Sequence, residues 1–407
     1  MATPRTAYDA VLHAARDVTD LDCAFDAEIL GAALLGSVYA IAEEDRNGAV
    51  RKFVADFLAA TARRRTDAAI TIRKVFAALV PEAAGAAAVN RTGPTPTWSD
   101  QLGKVRLTGS YAYGDVYGDQ TSYLATFAYD DSESGGPEHA VVALVDHNIG
   151  ITKDVFVGGP AERVLTQIRK LCADDDLTWF REEDPRLLRS EVTRYLSVTD
   201  ELGDLPDDGA LATDRALVGA RLALLPTPAL AVVDDGSALS PEDRGRLVRG
   251  FLDSPEAARW RLDEVGEADL ASLHFCLSLV LDHSATFPDV DPMRWSPAVA
   301  GLFLLDWVHR RAVLDMDDAA LLPRVVRGWA AYAGRRRGLS ARAVAQTDEA
   351  IEEMVPEFVR LHATGERRSP ATAAVAQLMS DGVDPTNADA LDAWIEANRQ
   401  RFGDSPA

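Results

Sequence analysis

His139-Ala140-Val141-Val142-Ala143-Leu144-Val145-Asp146-His147-Asn148-Ile149-Gly150-Ile151-Thr152-Lys153-Asp154-Val155-Phe156-Val157 is the stretch on which the fold turns. The run Ala140 to Val145 is apolar on both faces, which predicts a strand covered on both sides by helices. His147 to Gly150 supplies the Asx acceptors and the positive-φ residue of a turn, and Ile151 to Val157 reads as the returning strand. Upstream, Val105 to Ala112 and Ser122 to Tyr129 have the same character. They are separated by the turn clusters Gly114 to Asp119 and Asp130 to Pro137. Four short sequential strands predict an antiparallel meander.

Almost everything outside this block reads as helix. Val50, Phe53, Val54, Phe57 and Leu58 follow the i, i+3, i+4, i+7, i+8 stripe of a buried helix face, and Gly93-Pro94-Thr95-Pro96 ends the N-terminal helical block. Gly158-Gly159-Pro160 leads into a helix over about Ala161 to Leu171, and further helices are expected near Pro185 to Tyr195 and Leu211 to Leu225. Pro226 to Gly236 reads either as a linker or as a short extended segment. Beyond it, Ser240-Pro241-Glu242-Asp243, Ser296-Pro297, Ser340 and Ser369-Pro370 are helix starts, each a capping hydroxyl, three of them with a first-turn proline. Gly338 after Arg335-Arg336-Arg337 is a helix stop, and Pro356 is expected to kink or split the helix that starts near Ala341.

The fold class is therefore α+β and mainly helical, with a central four-stranded antiparallel meander packed between an N-terminal helical layer and a C-terminal helical array. The expected domains are 1–92, 93–175 and 176–407, with a further sub-boundary near 226–239. A chain of 407 residues, 47% of them hydrophobic, supports more than one core.

Charge and cysteine usage narrow the functional classes. A net charge of −22 and a pI of about 4.7 argue against direct nucleic-acid binding or an anionic membrane surface, because phosphate binding needs clustered cations. The basic triplets Arg63-Arg64-Arg65 and Arg335-Arg336-Arg337 read as solvated helix faces. The 37 arginines against 5 lysines suggest a GC-rich coding bias. Charged residues interrupt the N-terminus from Arg5 to Asp22, so no apolar signal sequence is read and a cytoplasmic location is expected. The run Ile29 to Ile41 is about 13 residues, short of the roughly 20 that span a bilayer, and reads as a buried helix. Cys23, Cys172 and Cys276 lack Cys-x-x-Cys spacing and fit reduced thiols.

The polar groups that end the third strand form the candidate site. Pairing Asp146 with Ile151 and Leu144 with Lys153 would put Asp146 and Lys153 on one sheet face, with Asp154 on the other beside Phe156. The leading reading is an Asx-rich hairpin stabilised by an ion pair. The functional reading makes Asp146 and Asp154 a general base or divalent-cation ligands and Lys153 an electrostatic stabiliser, as in a hydrolase or transferase. His147 and Asn148 would join them in binding, together with Asp282, His283 and Arg294 from the C-terminal array. His139 and His147 are separated by roughly 26 Å of strand and cannot share an ion. His274 and His283 fall on opposite faces of one helix. No recognisable nucleotide, zinc or nucleophile motif occurs, so no cofactor is evident.

The strings Val145-Asp146-His147-Asn148, Lys153-Asp154-Val155-Phe156 and Arg294-Trp295-Ser296-Pro297, with Phe303-Leu304-Leu305-Asp306-Trp307, resemble a set of hypothetical proteins from GC-rich bacteria. That resemblance carries no activity and no catalytic residue. The function expected is that of a cytosolic protein-interaction or ligand-binding protein, its partner a protein or a small molecule. An enzyme at the Asp146 to Asp154 hairpin is the alternative, and an acidic partner of a nucleic-acid-binding protein is the third.

Overall fold

In the computed structural model, residues 6–84, 95–205, 209–227, 239–267, 269–286, 291–384 and 387–402 are described. The chain divides into two compact units, Met1–Ala231 and Val232–Ala407. Among the described residues the architecture is mainly helical with one five-stranded antiparallel sheet.

The first unit begins with α1 (Ala7–Ala14), α2 (Ala24–Ile41), α3 (Arg46–Thr61), α4 (Asp67–Leu79) and the short α5 (Pro81–Ala84). The sheet follows: β1 (Val105–Asp115), β2 (Gln120–Tyr129), one turn of helix α6 (Ser132–Gly135), β3 (His139–Asp146) and β4 (Ile151–Gly158). Helix α7 (Ala161–Asp174) crosses to β5 (Thr178–Glu182), and α8 (Pro185–Asp200) and α9 (Gly209–Ala223) complete the unit. The strand order is β4-β3-β2-β1-β5, so the expected meander forms its first four strands and β5 adds to the β1 edge.

Strand alternation splits the sheet between two cores. Leu124, Ala140 and Val142 face α7 through Ala161 and Ile168. Tyr123, Ala125, Val141, Ala143 and Val145 face α8 and α9, whose inward stripes include Leu188, Val192, Leu196 and Val218. The two-faced burial expected of β3 is thus supplied by helices of its own unit. Strand β4 lies at an edge, where unpaired backbone N–H groups would otherwise need solvent. Side chains from the covering helices serve them: Thr152 N–H donates to Thr199 Oγ1 at 2.9 Å, and Val157 N–H donates to Asp214 Oδ2 at 2.8 Å.

Helix α2 is 18 residues long, longer than the apolar run suggested, and by length and composition could cross a membrane; half of that stretch is buried within the protein. It packs on α9 at close range. A Cβ on Gly36 would sit 2.6 Å from the Ala212 carbonyl oxygen, so glycine permits this approach.

The second unit contains α10 (Pro241–Leu252), α11 (Pro255–Arg259), α12 (Leu270–Ser284) and α13 (Pro297–Leu302), then a π-helical turn at Phe303–Trp307 continuing into α14 (Val308–Arg311). After them come α15 (Met316–Arg336), α16 (Ala341–Thr364), α17 (Pro370–Ser380) and α18 (Ala388–Phe402). Each of the four serine starts is a helix N-cap: the side chains of Ser240, Ser296, Ser340 and Ser369 accept from the backbone N–H three residues on. Gly338 adopts φ of +73°, the left-handed geometry of a helix stop. Pro356 does not split α16, which runs unbroken for 24 residues. A proline removes one backbone donor, and here Ile351, Phe358 and Leu361 on either side of it are buried, so packing outweighs that loss. Of the segment from Pro226 to Gly236, residues 228–236 lie outside the described residues.

Candidate functional site

The β3–β4 hairpin forms, with its turn at residues 147–150. Asp146 pairs with Ile151 as expected, but a bulge follows, so that Leu144 faces Asp154 rather than Lys153. The extra residue in β4 is Lys153, which is exposed. One added residue reverses every side chain beyond it. Asp146 and Asp154 therefore share the α7 side of the sheet, and Asp154 is not on the face opposite Asp146. Asp146 is buried, and both of its oxygens are engaged: Oδ1 accepts from Asn148 N–H at 3.0 Å and Oδ2 from the Gln120 amide at 3.0 Å.

His147 turns the other way, toward α8. Its Nδ1 lies 3.2 Å from Tyr195 Oη and its Nε2 3.0 Å from Thr121 Oγ1, so both ring nitrogens have partners. Asn148 is buried in the turn, which Gly150 closes with φ of +72°. Among the described residues, no group of three or more His, Cys, Asp or Glu side chains is placed to hold a metal ion.

Asp282, His283 and Arg294 belong to the second unit. Asp282 pairs with Arg244. His283, in the last turn of α12, is enclosed by Trp295, Phe303 and Trp307 at ring-centroid distances of 5.9, 5.3 and 5.4 Å. A helix C-terminus favours an imidazolium, but burial outweighs it here. Desolvation, with the Arg294 charge adding, pushes the imidazole down to about 4.

Two buried ionic networks in the first unit were not foreseen from the sequence. In one, Glu28 Oε2 accepts from Arg221 Nη2 and, at 2.6 Å, from Tyr129 Oη; its Oε1 accepts from Gly103 N–H at 2.7 Å. Arg221 Nε donates to His139 Nε2 at 3.0 Å, and that network assigns the proton to Nδ1, which faces the Pro137 carbonyl. Burial and the Arg221 charge push His139 down to about 3. Both Glu28 and Arg221 have side chains only 1% exposed.

The second network opens onto a cleft. Asp200, at the end of α8, accepts from Arg215 Nε at 3.0 Å, from Arg215 Nη2 at 2.6 Å and from Tyr39 Oη at 2.8 Å. Burial and the neighbouring Asp200 carboxylate raise the Tyr39 phenol above its ordinary range. Above this triad is a cavity of about 310 Å³. Helix α8 lines it with Arg189, Thr193 and Ser197, spaced four residues apart and so on one helix face. Helix α9 contributes Arg215 and the small residues Ala216, Gly219, Ala220 and Ala223, which leave the space. Val50 and Leu79 form an apolar part of the wall, and Glu82 of α5 lies at the exposed rim.

The legible signal for this site was the coincidence of a polar i, i+4, i+8 stripe on α8 with a small-residue stripe on α9. Neither matches a motif, and their pairing depends on tertiary structure. Compared with protein-family models, curated proteins and solved structures, the chain has no match.

Proposed function

We propose that the first unit is a small-molecule-binding module and that the cleft between α8, α9 and the N-terminal helices is its binding site. The observation that carries this reading is the 310 Å³ cavity floored by the buried Tyr39–Asp200–Arg215 triad. An apolar wall combined with a few convergent polar groups, at a volume of roughly 300 Å³ or more, is the usual form of a ligand site. A buried ionic group beside such a cavity points the same way. The cleft is favoured over the β3–β4 hairpin because the Asp146 oxygens are already engaged by Asn148 and Gln120 and the His147 nitrogens by Tyr195 and Thr121. A cytosolic location belongs to the same proposal, supported by three cysteines that are all unpaired.

The test is a thermal-shift screen of a metabolite library on three proteins: the wild type, Thr193→Trp and Asp146→Asn. Thr193 is exposed on the cleft wall, so an indole there fills the space without entering the core. Compounds that raise the wild-type midpoint are expected to do the same for Asp146→Asn and to lose their effect on Thr193→Trp. A saturating ligand at a hundred times its Kd stabilises by about 2.7 kcal/mol, well within reach of the method. Loss of the response in Asp146→Asn with retention in Thr193→Trp would move the site to the hairpin.

A further inference from the structure

We propose that the ligand of the cleft is an organic anion, with a carboxylate or phosphate head held by Arg189 and Arg215 and an apolar body against the Val50 and Leu79 wall. This rests on the cleft being the binding site. Arg189 donates Nη1 to the Leu225 carbonyl oxygen and has no carboxylate partner among the described residues, although acidic residues outnumber basic ones by 64 to 42 in the chain. Arg215 gives Nε and Nη2 to Asp200. Its third nitrogen, Nη1, lies beside Gly219 on the cleft wall, where a Cβ would come within 2.9 Å of it.

Glycine at 219 thus keeps room beside a guanidinium nitrogen that Asp200 does not use. Two arginines and one buried carboxylate leave a net positive charge on the α8–α9 wall. The hydroxyl of Thr193 stands one turn along α8 from Arg189, placed to add a neutral hydrogen bond, whereas that of Ser197, a turn further on, already donates to the Arg194 carbonyl at 2.7 Å. Guanidinium groups recognise carboxylate and phosphate oxygens through paired N–H donors. Glu82 at the rim opposes such a ligand and sets a lower affinity than the arginines alone would give. At about 30 Å³ per water, the cavity has the room of on the order of ten waters, which suits a head group on a short aliphatic chain.

The experiment is calorimetric titration of the full chain with octanoate, octyl phosphate and the neutral isostere octanamide. A charge-assisted hydrogen bond predicts that one or both anions bind roughly tenfold to a hundredfold more tightly than the amide. Arg189→Met should remove most of that difference, Arg189→Lys should restore part of it, and Glu82→Gln, a surface change that leaves the fold intact, should widen it. The stronger of the two anions distinguishes a carboxylate from a phosphate head. If octanamide binds as tightly as both anions and Thr193→Trp abolishes all three, the anion inference fails while the cleft remains a binding site. If the anions bind equally well to Thr193→Trp, the cleft reading itself fails. Absence of binding by both anions at any soluble concentration overturns the anion inference.

Discussion

Replacing Arg221 with methionine is expected to destabilise the first unit by about 3–5 kcal/mol, the usual cost of removing one partner of a buried ion pair. The methionine fills a similar volume but leaves the Glu28 carboxylate without its cation in a site of 1% exposure. Tyr129 Oη and Gly103 N–H still donate to Glu28, so the site does not collapse at once. His139 loses the donor to its Nε2 at the same time. The double change Arg221→Met with Glu28→Gln removes both charges and should cost less than Arg221→Met alone, because an uncompensated buried carboxylate is worse than a neutral pair. Amide hydrogen exchange of β2 and β3 under native conditions reads the effect. A loss below about 1 kcal/mol for Arg221→Met would place the pair in a solvated surface regime instead.

Acidification from neutrality to about pH 5 is expected to weaken the second unit by roughly 2 kcal/mol through His283 alone, at about 1.4 kcal/mol per pH unit. In the unfolded chain this imidazole titrates near 6.5, and in the fold burial holds it down to about 4. Between those values the unfolded chain takes up a proton that the folded form refuses. Stability is therefore full above about 6.5, falls as the pH drops toward 4 and levels off below. His309, also lowered by burial, adds to the fall in the same unit, and His139 produces the same trend in the first unit, continuing to about 3. Carboxylates held low by arginines, such as Glu256 beside Arg335, begin to lose their contribution only below their ordinary value of 4.5, so the upper part of the window belongs to histidine. Tryptophan fluorescence during urea unfolding is a suitable readout, since five of the seven tryptophans lie in the second unit. His283→Phe keeps the aromatic packing with Trp295, Phe303 and Trp307 and should flatten the pH dependence. An unchanged slope in that variant would show that another group governs it.

Local physics made much of the fold legible. Strand β3 was readable to the residue because its apolar run ends in a polar turn, and the serine caps marked four helices because the capping hydroxyl and the first-turn proline act within one turn of chain. Strand β5 was missed because Thr178–Glu182 is five residues long and pairs with β1, more than sixty residues away, rather than with its sequence neighbour. The bulge at Lys153 was invisible for a related reason. A β-bulge has no residue signature when the side chain is a lysine pointing to solvent, yet it moved Asp154 across the sheet. The π-helical turn at Phe303–Trp307 likewise has no motif; its Asp306 pairs with Arg310 of α14 at 2.8 Å.

The polar residues of the hairpin stand out in an apolar background, yet Asp146 and Asn148 are spent on the turn itself and His147 on Tyr195 and Thr121. The cleft drew none, since Arg189, Thr193 and Ser197 look like any solvated helix face until Gly219 and its alanine neighbours are packed opposite them. Arg221 and Arg215 likewise carry no mark of burial in their own helical segment; the approach of α2 and of β2 and β3 buries them.

Crystals soaked with octanoate, with a set of small neutral fragments in parallel, test the binding-site assignment most directly. Electron density for a soaked compound is expected between α8 and α9, in contact with Arg189 and above the Asp200–Arg215 pair, with the β3–β4 hairpin empty. Compounds bound at Asp146 and Asp154, with the cleft holding only solvent, would contradict it.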